Sequence, residues 1–313
     1  MRAFVAGAGG AVGTRLIPAL TRAGYEVGAL TRSESKRESL SRLGATVFIA
    51  DALDAQSVSD AVEIFQPNAI IHQLTAIPRQ LDIRNFDRDF SLTNRLRTEG
   101  TDNLLAAGAK VGVVKFLAQS FAGWPYARAG SWVKTEADPL DSAPPKKLLQ
   151  ALHAIKYLES SVRSKCPQGG IVLRYGCFYG PGTSLSKGGS LVEAVLKRRL
   201  PIVAGGTGVW SFIHIDDVVS ATLAALSGKP GIYNVTDDEP APVHDWMSSL
   251  AEVTGAKPPV HIPAWLARPL IGEHGIVLMR DTRGASNKKA KRELNWRPAY
   301  PNWRDGFRKE LNK

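Results

Sequence analysis

The sequence is poor in the residues that cross-link or anchor small proteins. Its 313 residues include two cysteines, Cys166 and Cys177, which cannot form a disulfide framework and have no metal-ligand spacing. We therefore expect reduced cysteines, no metal site and a cytoplasmic protein. No apolar stretch reaches the roughly 18 to 20 residues that span a bilayer, so we expect no membrane partner. Five glycines in the first 24 residues favour a loop over a secretory signal.

The composition is that of a globular protein with a basic surface. Hydrophobic residues make up 44% of the chain, enough for one large α/β domain or two modest ones. Lysine and arginine outnumber aspartate and glutamate by 40 to 29, which favours anionic partners such as nucleotides. Residues 280–313 carry eleven basic and four acidic side chains but no RNA-reading motif, so we expect no nucleic-acid partner.

Apolar segments of strand length alternate with segments of helical period in the first half of the chain. Strands are predicted at 3–6, 27–30, 46–50, 69–72, 113–118 and 171–174, and helices at 11–23, 34–43, 56–65, 86–109 and 146–164. Such alternation is typical of parallel βαβ units with right-handed crossovers. The sequence therefore predicts an α/β fold built on a doubly wound parallel sheet.

The pattern changes after residue 176, where loops rich in glycine and proline interrupt short elements. We predict a dinucleotide-binding domain over residues 1–175 and a mainly substrate-binding region over residues 176–313. A predicted helix at 216–226 and a predicted strand at 232–235 are expected to return segments near 212–236 to the first sheet.

A glycine-rich turn joins the first predicted strand to the first predicted helix. Gly7 permits a tight turn, Gly10 lets backbone N–H groups approach a pyrophosphate, and Gly13 lets the helix pack closely on the strand. Glycines are common in any turn, but the flanking strand and helix make a dinucleotide the favoured ligand. The same cofactor-binding turn contains Gly9, Ala11 and Val12.

The end of the second predicted strand indicates which dinucleotide binds. An acidic residue there would bond the adenosine ribose, whereas an arginine would accommodate a 2′-phosphate. The sequence has Thr31 and Arg32, followed by Lys36 and Arg37, which favours NADP and leaves NAD open. The alternative is that these charges form an ordinary solvated helix start.

Two further strand ends are expected to line the cofactor cleft, because open α/β sheets bind ligands at the carboxyl ends of their strands. Asp51 and Ala52 follow the third predicted strand, where Asp51 could accept the adenine amino group. Gln73, Leu74 and Thr75 follow the fourth, beside the phosphates. For both segments an ordinary helix cap or turn is the alternative.

Several spaced motifs follow one another in a fixed order. They comprise the glycine turn, Asp51, Asn94 ahead of Gly100-Thr101, Ser120, Arg174 with Gly180-Pro181-Gly182, Phe212 to Asp217, and a tail at 294–298. On these residues the sequence resembles the extended short-chain dehydrogenase/reductase superfamily, and within it the NAD(P)-dependent epimerase/dehydratase family, over nearly its whole length. The resemblance implies a Rossmann-type cofactor domain, a smaller carboxyl-terminal substrate-binding region and hydride exchange with nicotinamide.

The resemblance also implies roles for individual residues. It places Gly180 and Pro181 near the nicotinamide, and we count Tyr175 with them in the cofactor site. His214 and Asp217 are expected to be structural, close to where the two regions meet.

One departure from the family concerns its active-site tyrosine, which normally lies four residues before a lysine on one helix. Counting back from Lys156 gives Leu152. Setting the register instead by Glu159, as the family's glutamate eight residues after the tyrosine, gives Ala151 and Ile155. Both registers lack the phenol. In the first register Lys156 would hold the nicotinamide ribose.

Three residues are candidates to replace the missing phenol. His153 lies three residues before Lys156 on one helical face, Tyr126 follows Ser120 in a loop, and Tyr157 is the least favoured. A packing or surface role is the alternative for each of the three. Ser120 keeps the family position for a hydroxyl that bonds the substrate.

Aromatic residues in loops after strands are candidates for the substrate pocket. Trp124, Phe178 and Trp210 could line a pocket for an apolar ligand or could belong to the core. The favoured function is an NADP-dependent oxidoreductase or epimerase-like enzyme that acts on a small hydroxyl or carbonyl compound. A non-catalytic NADP-binding sensor and, less favoured, an RNA-binding relative are the alternatives, and a homodimer is left open.

Overall fold

A computed structural model describes residues 1–78 and 81–312 of the chain. In chain order its strands are β1 (Arg2–Ala6), β2 (Glu26–Thr31), β3 (Ala45–Ile49), β4 (Ala69–His72), β5 (Lys115–Phe121), β6 (Val133–Lys134), β7 (Gly170–Tyr175), β8 (Cys177–Tyr179), β9 (Ile202–Val203), β10 (Val209–Trp210), β11 (Phe212–His214), β12 (Gly231–Val235), β13 (Ala241–Pro242), β14 (His261–Ile262) and β15 (Gly284–Ala285). Its helices are α1 (Gly13–Arg22), α2 (Arg37–Arg42), α3 (Ala55–Phe65), α4 (Phe86–Arg97), α5 (Glu99–Lys110), α6 (Leu149–Lys165), α7 (Ser190–Leu196), α8 (Ile215–Leu226), α9 (Val243–Thr254), α10 (Ala264–Arg280), α11 (Lys288–Glu293) and α12 (Trp303–Leu311). Within these ranges, no helix combines the length and apolar character needed to cross a membrane.

Seven strands form one sheet in the order β12-β7-β5-β4-β1-β2-β3, and every neighbouring pair is parallel. Helices cover both faces, which explains why the strands are nearly continuous apolar runs, such as residues 3–6 with no exposed surface. The prediction of a doubly wound parallel sheet is confirmed.

Two hydrophobic clusters hold helices to the two faces of this sheet. On one face, Leu16 of α1 and Val218 of α8 pack with Val5 and Leu117. The cluster on the other face joins α3, α5 and α6 to the strands. It contains Phe4, Val62, Leu104, Phe116, Leu158 and Val162.

The boundaries differ from the sequence expectations in three places. The helix predicted at 86–109 is two helices, because Thr98 leaves helical geometry with φ −99° and ψ −81°. The strand predicted at 113–118 lies at Lys115–Phe121 and so reaches further towards the carboxyl edge of the sheet. Within 212–236, β12 pairs with β7 of the sheet, whereas β11 pairs with β8 outside it.

Residues after β7 build a third hydrophobic cluster around buried aromatic side chains. Trp246, Trp303, Phe212 and Phe307 are each fully buried. The ring centroid of Phe212 lies 5.9 Å from that of Trp303 and 5.5 Å from that of Phe307. Tilted and edge-on contacts at these distances are favourable for aromatic rings, so this region has a core of its own.

His72 ends β4 inside the protein and shapes the segment that follows. Its Nδ1 accepts the Leu74 N–H at 3.2 Å, and its Nε2 lies 3.1 Å from the Thr101 hydroxyl and 3.3 Å from the Leu96 carbonyl. Burial lowers the pKa of His72 to about 4. The folded protein therefore holds a neutral imidazole here.

This burial makes a prediction about pH and stability. Because an unfolded histidine takes up its proton near about pH 6.5, its contribution to folding is complete above that pH and is lost as the pH falls towards 4. We expect the free energy of unfolding of the wild type to drop by roughly 3 kcal/mol more than that of His72→Gln between pH 7 and pH 4. Urea titrations at the two pH values measure this difference, and an equal drop in both proteins would contradict it.

Candidate active site

The turn between β1 and α1 requires glycine for two close approaches and leaves a third glycine open. Gly7 has a φ of 91°, and a Cβ there would lie 2.6 Å from the Gln73 carbonyl oxygen. A Cβ on Gly13 would lie 2.4 Å from the Ala8 oxygen. Gly10 is exposed, and among the described residues a Cβ there would meet the Gly7 oxygen alone, at 3.3 Å. An open backbone at a helix start fits a diphosphate, which needs unobstructed N–H groups.

The surroundings of this turn include two cations. Lys36 Nζ donates to the Gly9 carbonyl at 2.6 Å, so this lysine lies against the turn. Arg32, directly after β2, is exposed and makes no hydrogen bond or ion pair with the described residues.

Val12 is buried and Ala11 half-buried in the cluster beneath the turn. Ala11 and Val12 therefore support the turn by packing.

The residues flanking Arg32 have structural partners. Thr31 is buried, and its Oγ1 accepts the Ser33 N–H at 3.2 Å to close the turn after β2. Arg37 forms an ion pair with Glu34 at the start of the next helix. The solvated-helix alternative therefore describes Arg37, whereas Arg32 is left available for a ligand.

The segments after β3 and β4 reach the same edge of the sheet. Asp51 is exposed, and its Oδ1 accepts a backbone N–H two residues further on, at 3.0 Å, as in a turn. Ala52 is buried, and its carbonyl accepts Asn103 Nδ2 at 2.9 Å. Leu74 is half-buried and Thr75 is exposed. Thr75 and the Asp51 carboxylate are the accessible groups of this set.

Tyr175 lies within the core beside the site, where it positions Gln73. Gln73 Nε2 donates to the Tyr175 hydroxyl at 3.3 Å, and that hydroxyl lies 2.7 Å from Thr222 Oγ1. Burial raises the pKa of Tyr175 to about 12. Its hydroxyl is already engaged, which favours a supporting role, and a contact between Tyr175 and the cofactor stays a prediction. Gln73 Oε1 is buried without a hydrogen-bond partner.

Gly180 owes its conformation to a histidine of the adjoining strand. Its φ is 99°, and a Cβ there would lie 2.6 Å from His214 Nε2. Pro181 is exposed. His214 stacks on Tyr300 at 3.7 Å, and the Asp217 carboxylate accepts the Tyr300 N–H at 2.9 Å. The geometry gives His214 and Asp217 structural contacts and accounts for glycine at position 180 by packing, while the nicotinamide contact of Gly180 and Pro181 stays a prediction.

A buried polar network joins α6 to three strands. Arg174 NH2 lies 2.5 Å from Glu159 Oε2, and the Ser120 hydroxyl donates to Glu159 Oε1 at 2.7 Å. Arg174 NH1 donates to the Tyr126 hydroxyl at 3.0 Å, and that hydroxyl donates to Asn234 Oδ1 at 2.6 Å. Burial alone would lower the pKa of Arg174, but the hydrogen bonds and charge of Glu159 raise it. Arg174 therefore keeps its positive charge in this buried position.

This network decides the register of α6. Ile155 and Ala151 precede Glu159 by four and eight residues, share its inward face and are 1% and 0% exposed. Lys156 is exposed, and its Nζ donates to the Asp141 carbonyl at 2.7 Å. The geometry therefore favours the register counted from Glu159, and the assignment of Lys156 to the nicotinamide ribose stays a prediction that its contact with Asp141 does not support. The positions that the resemblance reserves for tyrosine and lysine carry a methyl and a branched alkyl group.

The proposed substitutes for the phenol also lie away from that face or are engaged. His153 is exposed on the outer side of α6. Tyr126 is fully buried, desolvation raises its pKa, and its hydroxyl serves Asn234. Tyr157 bonds Asp102. Ser120 is 2% exposed, and its hydroxyl hydrogen is directed to Glu159 rather than to a substrate. The contacts of these four residues favour surface or structural roles, and their catalytic roles stay predictions.

An aromatic cluster surrounds Ala151 at the start of α6. Phe86 and Ala151 are buried in it together with the half-buried Trp124 and Phe90. The rings of Phe86 and Phe90 stack at 4.2 Å, and Trp124 meets Phe86 edge-on at 6.2 Å. His274 lies 6.4 Å from Phe86. Trp124 is thus placed where a substrate prediction needs it, beside the position of the missing tyrosine.

The other two predicted substrate aromatics lie in the cores. Trp210 Nε1 donates to the Leu278 carbonyl at 2.9 Å, and its ring lies 5.2 Å from Trp246. Phe178 packs 5.6 Å from Tyr175. Both are half-buried against the hydrophobic clusters, which favours the core alternative, and their contact with a substrate stays a prediction. The sequence analysis did not include Phe86, Phe90 or His274 in the site. For His274 the reason is a kink at Gly272, with φ 69°, which brings this distant residue to the cluster.

Residues 3–236 match the family model described as the NAD dependent epimerase/dehydratase family. The chain belongs to this family. The match spans the glycine turn, the inward face of α6 and the Glu159–Arg174 pair, and it confirms the resemblance seen in the sequence. The protein is an NAD(P)-dependent oxidoreductase or epimerase, and a nicotinamide dinucleotide is its cofactor.

The similarity to individual proteins covers nearly the whole chain. It is 41% identical over 312 residues, 99% of the chain and 100% of the relative, to a 3-diazoavenalumate denitrifying reductase from Streptomyces. A UDP-glucose 4-epimerase from Thermus thermophilus, solved with NAD, shares 25% identity and a TM-score of 0.76, covering 99% of this chain and 98% of that one. A UDP-glucose 4-epimerase from Thermotoga maritima shares the fold at 22% identity and a TM-score of 0.77, covering 99% and 97%.

The hydroxyl of Ser120 generates a prediction. We expect Ser120→Ala to lower the free energy of unfolding by about 1–3 kcal/mol, because buried Glu159 loses a donor. We expect kcat to change by less than about threefold, in contrast to the roughly hundredfold loss expected of a group that donates a proton to the substrate. Chemical denaturation and steady-state kinetics measure the two effects, with Ser160→Ala as control, because Ser160 is an exposed serine next to Glu159 on α6. A hundredfold loss of kcat at unchanged stability would contradict the structural role.

Proposed function

We propose that this protein is an NADPH-dependent reductase whose substrate accepts a hydride without a proton from the enzyme. The observation that carries the proposal is the apolar inward face of α6, where Ala151 and Ile155 are buried beside the aromatic cluster. Reduction of a carbonyl produces an alkoxide that must be protonated, which is the task of a phenol beside an ammonium. The described residues on this face offer neither group.

A diazonium group is a hydride acceptor that needs no acid. When bound, the reduced nicotinamide supplies the hydride. In the substrate the hydride becomes a new C–H bond, the C–N bond breaks with its electron pair leaving on N2, and the charges cancel without a proton. The relative at 41% identity bears the name of a denitrifying reductase of a diazo compound, which supports this substrate class.

The aromatic cluster supports an apolar, planar substrate. Phe86 is buried beside Ala151, and the half-buried rings of Phe90 and Trp124 pack against it. The exposed parts of these two aromatic rings favour flat unsaturated molecules. Since Ala151 is small, the space a phenol would occupy is not filled by its own side chain. We therefore propose an aromatic diazonium compound as the substrate.

The turn after β1 would hold the coenzyme diphosphate through its backbone amides. Arg32 and Lys36 carry positive charge at the end of β2, where no acidic side chain immediately follows the strand. That arrangement supports a 2′-phosphate and thus NADPH over NADH.

The reaction is tested with an arenediazonium salt and an aldehyde on the same ring. We expect NADPH oxidation and N2 release with the diazonium compound. Turnover of the aldehyde should be at least about 100-fold slower, because the α6 face of the site has no acid to protonate the alkoxide. With NADPH deuterated at C4 the product should carry deuterium, whereas unlabelled NADPH in D2O should leave it unlabelled. Mass spectrometry measures both. Faster reduction of the aldehyde, or deuterium from solvent at the new C–H bond, would overturn the proposal.

The coenzyme preference is tested by Arg32→Ala. Loss of a charged hydrogen bond should weaken NADPH binding by roughly 10- to 100-fold while NADH binding changes by less than about twofold. Arg37→Ala is the matched control, because Arg37 is a nearby exposed arginine already paired with Glu34. Titration calorimetry gives the dissociation constants. Equal weakening of both coenzymes would show that Arg32 does not recognise the 2′-phosphate.

A further inference from the structure

Arg97, in the last turn of α4, is a buried cation that no carboxylate pairs with in the part of the chain that the structure describes. It is 6% exposed, and its guanidinium makes no hydrogen bond or ion pair with the described residues. Desolvation lowers the pKa of Arg97 to about 10, against the opposing charge of Glu159. It nevertheless remains protonated at neutral pH. Buried guanidinium groups ordinarily donate to carboxylates, phosphates or carbonyl groups. The N–H groups of Arg97 have no such acceptor among the described residues, and a ligand could supply one.

Two polar side chains near the end of β4 have buried atoms with no hydrogen-bond partner among the described residues. Asn94 lies one turn before Arg97 on α4, and both its amide oxygen and its amide nitrogen are buried without a partner. Gln73 Oε1, directly after β4, is in the same state. Thr93 Oγ1 accepts the Ala76 N–H at 3.0 Å, which holds this part of α4 against the segment after β4.

The position of Arg97 relates these groups to the candidate active site. Its charge lowers the pKa of His72, at the end of β4, and it interacts with Glu159 of α6. Gln73, one residue beyond His72, lies against Gly7 of the turn that would hold the diphosphate. The Leu96 carbonyl, one residue before Arg97, lies 3.3 Å from His72 Nε2 at the end of β4. In the sheet β1 separates β4 from β2. This end of α4 therefore lies beside β4, on the side of the turn away from β2 and Arg32.

We propose that Arg97 binds the nicotinamide half of the coenzyme, by donating hydrogen bonds to oxygen atoms of its ribose and the attached phosphate. Asn94 and Gln73 contribute polar atoms to the same subsite. Arg97 on α4 would then bind the nicotinamide ribose, which the alkyl side chain of Ile155 on α6 cannot do. The inference rests on the proposed use of a nicotinamide dinucleotide at the glycine turn, and it adds a positioning residue to that site.

The test compares NADPH with adenosine 2′,5′-bisphosphate, which lacks the nicotinamide half. We expect Arg97→Gln to weaken NADPH by roughly 10- to 100-fold, the range for lost charge-assisted bonds, and the bisphosphate by less than about twofold. Arg97→Lys should recover part of the loss. Arg95→Gln is the control, because Arg95 is exposed on the same helix and paired with Glu99 at 2.7 Å. Titration calorimetry measures all affinities in the unliganded full chain.

A thermal unfolding measurement separates ligand binding from a purely structural role. Removing an unpartnered buried charge should leave the melting temperature of unliganded Arg97→Gln unchanged or raised. Unaltered NADPH affinity, or equal weakening of NADPH and the bisphosphate with a lowered melting temperature, would overturn the inference. A wild type that binds the bisphosphate and NADPH, but reduces no diazonium compound, would instead refute the proposed substrate and leave the role of Arg97 intact.

Discussion

The buried ion pair between Glu159 and Arg174 fixes how α6 lies on the sheet, and the rest of the site depends on it. Both side chains are 6% exposed or less, at 2.5 Å, with Ser120 and Tyr126 supplying further hydrogen bonds. Removing one partner of such a pair typically costs about 3–5 kcal/mol, because the other charge is left buried. A rotation of α6 by one residue would break the pair. The pair therefore fixes which face of α6 is directed towards the sheet.

The consequences of this register extend over two turns of helix. With Glu159 facing inward, Ile155 and Ala151 must also face inward, while Lys156 and His153 face solvent. The same glutamate occupies the Ser120 hydroxyl, which removes the other hydroxyl that the sequence offered for catalysis. The Glu159–Arg174 pair thus directs Lys156 and His153 to solvent and engages the hydroxyl of Ser120, so the contacts of these three catalytic candidates favour surface or structural roles.

The sequence predicted the parts of the fold that depend on local chemistry. Apolar runs separated by helical segments gave the parallel sheet, and Gly7 and Gly13 were required by approaches of 2.6 Å and 2.4 Å that a Cβ would block. The register of α6 could not be read locally, because Lys156 and Glu159 each supply a plausible reference point and the choice depends on Arg174, fifteen residues beyond Glu159. Burial of Tyr126 depends on Asn234, 108 residues away. The approach of His274 depends on a helix kink at Gly272.

The distribution of charge at the sheet edge is the feature that connects this structure to its chemistry. An ammonium and a phenol on α6 would make that wall of the site both cationic and proton-donating. Here the α6 wall is apolar, and the buried cation comes from Arg97 on α4, a guanidinium that stays protonated and cannot serve as an acid at neutral pH. A site of this kind can hold oxygen atoms of a ligand firmly while offering no proton from α6. Hydride acceptors that expel a neutral leaving group are compatible with such a site, whereas those that build up negative charge on oxygen need an acid from elsewhere.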